Sequence, residues 1–416
     1  MVPIPAVPVI VLLLVFLGIA VRGIGRFRLK IWQIMLAGAA AVLLTGQIAP
    51  LSAFRAINPE VMVFLFGMFI VGVALRESGE LLRLAGGISR RAANPDQLLA
   101  LLILSFGFLS AVLMNDTLAI IGTPLVLHLA RANRLPPKLL LFALAFSITT
   151  GSVLSPIGNP QNLLVALATS GGNPFITFAR YLAVPTLVSL ALVYLLIRVS
   201  FRDQLASGPL EFADEPLRDS RLALLSRISL VILVALVIVK AAGYFIGTDI
   251  PLPLPAIALL SALPVLAFSE KRVELVRKVD WGTLVFFAAM FVLMESVWES
   301  GFLQPLAQAI GAEAVRIPVM LGLSAVVSQF ISNVPFVALF LPVIASPVGS
   351  TRVLMALAAG STIAGNLSIL GAASNVIVIQ NAEKEGETLG FGEFVKIGLP
   401  LTVLQLLVYW FFLGMG

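Results

Sequence analysis

The sequence predicts an all-α polytopic membrane protein made of two inverted repeats. Each repeat holds five transmembrane helices and one re-entrant hairpin, with helices broken at the midplane. Three observations predict this. The 416 residues are 59% hydrophobic and only 12% charged, with mean hydropathy +1.06, whereas a soluble domain is nearer ~45–50% apolar. Two apolar stretches are interrupted in the same rhythm: LMNDTLAIIGTP sets Asn115 nine residues before Pro124, and QFISNVPFVALFLP sets Asn333 nine residues before Pro342. Residues 63–88 also align without gaps to 285–310, with 11 of 26 positions identical, including Glu77-Ser78-Gly79 against Glu299-Ser300-Gly301. Shared hydrophobicity explains apolar matches but not a common Glu-Ser-Gly in one register.

Taken in order, ten full spans lie at about 4–21, 31–49, 61–76, 139–169, 179–198, 224–246, 252–269, 282–299, 352–381 and 394–414. They have roughly the ~20 apolar residues a helix needs to cross a bilayer. The first run has no basic residues before it and no small-residue cleavage site, so it reads as a retained helix and not a signal peptide. The stretches 97–130 and 314–346 are cut near their middles, leaving arms short for a crossing. Each reads as a hairpin that enters and leaves on one side.

Charge sets the orientation. With the N-terminus outside, 22 of the 27 Lys and Arg fall in inner loops, among them Arg22, Arg26, Arg28 and Lys30, and Lys271, Arg272, Arg277 and Lys278. Only Arg55, Arg180, Lys240, Arg316 and Arg352 remain outside. This is the positive-inside bias of an inner (plasma) membrane protein with both termini out. The same bias explains a pI of 9.9 without nucleic acid as a partner. Residues 1–199 form repeat 1, 200–223 a cytoplasmic linker and 224–416 repeat 2. Five spans is an odd number, so the second repeat inserts upside down relative to the first.

Later in each repeat, Ser155, Gly158 and Asn162 of SPIGNPQN match Ser368, Gly371 and Asn375 of SILGAASN at a constant offset. Inside a membrane, backbone leaves the helical ladder only where protein buries it or water reaches it. Two hairpin tips and two breaks would therefore gather near the bilayer centre, as in secondary transporters with inverted repeats. There, free carbonyls bind cations and helix N-termini offer N–H groups to an anion or polar solute. Asn supplies both donor and acceptor without the desolvation cost of a charge. The candidate substrate and ion ligands are Asn115, Asp116, Thr117, Ser155, Gly158, Asn159, Asn162, Ser332, Asn333, Asn366, Ser368, Gly371, Ser374 and Asn375.

These segments resemble the ion transporter superfamily, in the branch of ArsB-type arsenite efflux pumps, NhaD-type sodium/proton antiporters and the P protein, and more distantly the divalent anion/sodium symporters. The specific parts are ND at 115–116, IGNPQN at 157–162, SNVP at 332–335 and LGAASNVIVIQNAEKEG at 370–386. The resemblance implies paired hairpins, a central site, an elevator-like movement and a homodimer. In the anion symporters a Ser-Asn-Thr at each tip holds sodium and a substrate carboxylate. Here the tips read Met114-Asn115-Asp116 and Ser332-Asn333-Val334. The missing threonines and the added acid point away from dicarboxylate or citrate and toward the proton-coupled branch.

Asp116 and Glu295 are the candidates for proton coupling, because an ionisable group inside a membrane is expensive and usually functional. A second reading of Asp116 stays open: Asp is also a good N-cap. His128, Glu77, Glu299 and Lys240 read as boundary residues, the lysine snorkelling to the interface. With no cysteine there is no disulfide or thiolate metal site, and no nucleophile–base or metal-ligand constellation marks an enzyme. No cofactor is expected. The absence of a Walker motif leaves an H+ or Na+ gradient as the driving force, unless a cytosolic ATPase subunit joins. The leading expectation is proton-coupled efflux of arsenite or antimonite. The alternatives are a sodium/proton antiporter, or a sodium-coupled carrier of dicarboxylate- or sulfate-type anions.

Overall fold

A computed structural model describes residues 6–21, 30–80, 90–169, 172–205, 219–248, 250–302, 316–344 and 350–415, with 83, 87 and 210 between them. The basic loop with Arg22, Arg26 and Arg28, most of the linker, and the far ends of the aligned segments 63–88 and 285–310 lie outside the described residues. Among the described residues there are eighteen α-helices and no strand.

In the first half these are α1 (Ala6–Val21), α2 (Ile31–Leu44), α3 (Pro50–Ala56), α4 (Pro59–Ser78), α5 (Pro95–Val112), α6 (Asn115–Ala132), α7 (Pro137–Ser152), α8 (Pro160–Ala168) and α9 (Pro174–Ser200). The second half runs through α10 (Ser220–Phe245), α11 (Leu254–Phe268), α12 (Arg272–Arg277), α13 (Trp281–Glu299) and α14 (Ile317–Ile331). It ends with α15 (Asn333–Ile344), α16 (Thr351–Ile363), α17 (Ala373–Lys384) and α18 (Phe391–Gly414). Six of them, α4, α5, α9, α10, α13 and α18, are long and apolar enough to cross a membrane.

Local chemistry explains where many of these helices start. Four Asn-Pro pairs, Asn58-Pro59, Asn94-Pro95, Asn159-Pro160 and Asn173-Pro174, open α4, α5, α8 and α9. In each the asparagine oxygen caps the first turn, as in Asn94 Oδ1 accepting from Gln97 N at 2.9 Å. The proline adds a φ already suited to a helix and removes a donor that would have no partner. The spans expected at 139–169 and 352–381 are each two helices, α7 then α8 and α16 then α17, separated at the expected breaks. The short helices α3 and α12 were not expected as separate elements.

The helices sort into two groups. In a frame group, α4 packs along α11, α2 along α13, and α10 against both α4 and α11. In a second group, the hairpin group named for the hairpins the sequence predicts, α5 and α6 pack on α7, α14 and α15 on α16, and α9 on α18. The second helix of each interrupted stretch lies against the far half of the other broken helix, α6 on α17 and α15 on α8. The groups touch mainly where α1 meets α14, α9 meets α10, α13 meets α15, and α4 meets α6 and α8. Ion pairs follow the same division. Arg131–Glu385, Lys138–Glu393 and Arg198–Asp96 tie elements of the hairpin group, while Arg227–Glu80, Lys278–Glu77 and Lys271–Asp219 tie elements of the frame. None of these six crosses between the groups.

Candidate functional site

The first tip is held from below by backbone. Asn115 N donates to Gly158 O at 3.0 Å, which ties the start of α6 to the first break. Asn115 Oδ1 accepts from Asp116 N at 3.0 Å, and its Nδ2 reaches Ser374 Oγ at 3.5 Å in the other half. Asp116 therefore stands in the first turn of α6 but is not its cap: Met114 holds that position, without a side-chain capping bond. The side chain of Thr117 turns the other way. A Cβ placed on Gly72 of α4 would stand 2.8 Å from its Cγ2.

The two breaks are built alike. Asn162, fully buried, donates from Nδ2 to Ser152 O at 2.9 Å and to Ser155 O at 3.0 Å. Asn375 donates from Nδ2 to Gly365 O at 2.6 Å and to Ser368 O at 3.4 Å. Each asparagine thus supplies donors that the interrupted helix has lost, as buried carbonyls require. Asn159 caps α8 and donates from Nδ2 to Ser152 Oγ and Thr362 Oγ1, while Gln161 Nε2 also reaches Thr362 Oγ1. In the second break Gln329 takes the bracing role, donating to Ala364 O at 2.7 Å and accepting from Ser368 Oγ at 2.8 Å. Gly371 sits close against Gln329, and Asn366 bridges Thr150 and Gln405.

The second tip is strained. Ser332 has φ +68° and ψ 159°, a region that costs a non-glycine residue about 1–3 kcal/mol. Beside it Asn333 is 5% exposed, and its Oδ1 finds no hydrogen-bond partner.

Both tips and both breaks border one cavity of about 880 Å³. The hairpin group contributes Asn115 and Asp116 from the start of α6, Pro160 and Gln161 from α8, Ser332, Asn333 and Val334 around the start of α15, and Ala372, Ala373 and Gln380 from α17 and the residue before it. Four helix N-termini of the hairpin group therefore converge on it. The frame supplies the opposite wall through Lys30, Ile31 and Trp32 at the start of α2, and Asp280, Thr283 and Phe287 at the start of α13.

Of the residues singled out in the sequence, Asn115, Asp116, Ser332 and Asn333 border the cavity. Ser155, Gly158, Asn159, Asn162, Asn366, Ser368, Gly371, Ser374 and Asn375 stand a layer behind and brace the tips and breaks. Glu295 is half-buried on α13, away from the cavity. Sequence reasoning missed Gln161, Gln380, Lys30, Asp280 and Thr283. For Gln161 the signal was the Asn-Pro start beside it.

Comparison with known proteins decides the family. Residues 11–351 match the model of the citrate transporter family, CitMHS. The chain belongs to that family. A 46 kDa membrane protein of Mycobacterium leprae is 29% identical over 366 residues, 84% of each chain. The silicon efflux transporter LSI3 of Oryza sativa subsp. japonica is 26% identical over 89% of each. The P protein of Sus scrofa is 29% identical over 187 residues, 40% of this chain and 22% of that one. The crystal structure of the Alcanivorax borkumensis YdaH transporter superposes with a TM-score of 0.62 over 99% of this chain and 97% of that one. At 18% identity it shows a shared fold alone. As a CitMHS member the chain is a multi-pass membrane protein and a secondary transporter, not an enzyme. The P protein named in the sequence resemblance is among its relatives; the matching family model is that of the citrate transporters, not of the arsenite pumps.

Proposed function

We propose that this CitMHS member exports an uncharged metalloid hydroxide, arsenite or antimonite or the related silicic acid, in exchange for protons. The observation that carries the reading is the placement of Asp116: a carboxylate facing a cavity on which four helix N-termini converge. Helix N-termini offer N–H groups to oxygen atoms, and a carboxylate accepts from O–H. A neutral hydroxide needs both and brings no charge to compensate. Citrate suits the cavity poorly, since two carboxylates, Asp116 and Asp280, oppose one ammonium, Lys30. The name of the silicon efflux relative supports the same solute class.

The architecture proposed with it is a pair of inverted repeats, 1–199 and 224–416, joined by the 200–223 linker. Helices α5–α6 and α14–α15 are the re-entrant hairpins. At 18 residues α5 is long enough to cross; its end packs against Gly158, a layer behind the cavity, and α6 follows at once, which supports the hairpin reading. The hairpin group is the moving body and the frame the static one, a division supported by the ion pairs that stay within each group. The distribution of basic residues supports a linker on the inner side of the plasma membrane and both termini outside. A reporter within 203–220 should be cytoplasmic, and reporters at 171–174 and after 414 external. A linker and C-terminus on one side contradict this topology.

Proteoliposomes with an imposed pH gradient test the substrate. Arsenite or silicic acid should move uphill against the proton flow. Gradient-driven sodium flux without metalloid movement selects the sodium/proton antiporter, for which Asp116 and the unpartnered Asn333 Oδ1 are the oxygen ligands. Citrate or succinate movement alone overturns the proposal.

A further inference from the structure

Asp280 faces the cavity from the frame. It caps α13, its Oδ1 accepting from Thr283 N at 3.0 Å and its Oδ2 from Thr283 Oγ1 at 2.7 Å. Each carboxylate oxygen accepts more than one hydrogen bond, so the cap leaves acceptor capacity free at the cavity wall. That wall is rigidly built. A Cβ on Gly282 would lie 2.8 Å from Trp32 Cδ1, so the bare glycine lets the start of α2 pack against the start of α13. A second, independent feature borders the same space: Asn333 on the opposite side is 5% exposed, and its buried Oδ1 is unpaired.

The register that aligns 63–88 with 285–310 carries Asp280 onto Asn58. Asn58 caps α4 in the same manner, its Oδ1 accepting from Glu60 N at 2.9 Å and Val61 N at 3.1 Å. It is not among the residues that border the cavity. The two ends of the frame therefore differ by one charge at equivalent caps. The Asp280 end adjoins the basic residues Arg272, Arg277 and Lys278, which mark the inner side.

We propose that Asp280 is a substrate ligand carried by the static frame, accepting O–H donors of a neutral polyhydroxy solute only while the cavity is open to the inner side. When the hairpin group moves to the outer side, the solute meets Asn58 in its place. The carrier then loads its solute more tightly from inside than from outside. This rests on the two-sided access and the solute class proposed above.

Asp280→Asn tests it, because Asn and Asp cap helices about equally, so a purely structural role survives the change. In inside-out and right-side-out membrane vesicles, the KM for arsenite presented at the inner face should rise about tenfold to a hundredfold, the loss expected for a hydrogen bond to a charged group. The KM at the outer face should stay unchanged. Asn58→Asp, placing the same charge at the other end, should lower the outer KM and leave the inner one alone. Equal changes at both faces, or none at either, overturn the proposal while leaving the solute assignment intact. Wild-type vesicles that move neither arsenite nor silicic acid sink the solute assignment and this inference with it.

Discussion

The two breaks share one residue and differ at the next. Asn162 and Asn375 do the same work, closing the interrupted ends of α7 and α16 through pairs of carbonyls. Asn159, however, corresponds to Ala372. In the first break the Asn159 amide meets Thr362 Oγ1, which in turn donates to Asn162 Oδ1 at 3.2 Å. In the second, the equivalent atoms, Thr149 Oγ1 and Asn375 Oδ1, have no partner. The tips differ too, with Asp116 in one and Val334 at the matching place in the other. What the halves share is what any broken helix needs. What they do not share marks a firmly satisfied first break that supports the carboxylate, opposite a second break with spare oxygens.

The largest effect should come from the first half's close packing. A Cβ on Gly151 would fall 2.1 Å from Gly107 O, backbone against backbone, where the second half has Ala364 and Ala325 in the corresponding register. Gly151→Ala must push α5 off α7, an overpacking worth about 1–3 kcal/mol or more. Thermal unfolding in detergent should show a clear drop. An unchanged midpoint would mean the halves pack equally loosely.

A matched pair of substitutions sharpens the comparison. Thr362→Val strips a hydroxyl that Asn159, Gln161 and Asn162 all use, leaving buried polar atoms unpaired at about 1–3 kcal/mol. Thr149→Val removes a hydroxyl with no partner and should be neutral or slightly stabilising. Equal losses at both sites would show that the two breaks are equally satisfied.

Much of this was legible in the sequence, for physical reasons. Hydropathy locates spans because lipid imposes it, and polar residues inside apolar runs mark interrupted backbone, so the sequence shows where these helices stop and restart. The role of Asp116 as a cavity carboxylate and not a cap depended on one step of helix register, which spacing alone does not fix. Asn162 and Asn375 were expected at the cavity and stand behind it, because the rotation of α8 and α17 decides which face they present. Lys30 and Asp280 were invisible as a cavity wall: they lie far in sequence from the tips they oppose, and nothing local distinguishes a capping aspartate from one that also faces a solute. The frame helices α3 and α12, at 7 and 6 residues, are too short for a hydropathy pattern to resolve.

The smallest expected effect lies far from the breaks. Asp219 caps α10 through Leu222 N at 2.9 Å and accepts from Lys271 Nζ at 2.7 Å. These contacts, the backbone bond first, hold its carboxyl below the usual carboxylate range. Because the folded value is depressed, the stabilisation is present above the unfolded pKa of about 3.9 and disappears as pH falls through the folded value. With Asp219 half-buried and its partner Lys271 exposed, it amounts to less than about 1 kcal/mol. Asp219→Asn should therefore shift the unfolding midpoint slightly at neutral pH, and not at all once the wild-type carboxyl is protonated. A loss that persists in acid would point to the cap instead of the charge.

The proposed coupling of protons to solute movement through the carboxylate of the first tip stands or falls with Asp116→Asn in proteoliposomes. Asparagine keeps the size and most of the hydrogen bonding but cannot exchange a proton. The variant should reach the membrane folded, retain solute exchange at equal pH on both sides, and lose uphill transport driven by a pH gradient. Uphill transport that stays near the wild-type rate would contradict the account and take the coupling role away from Asp116.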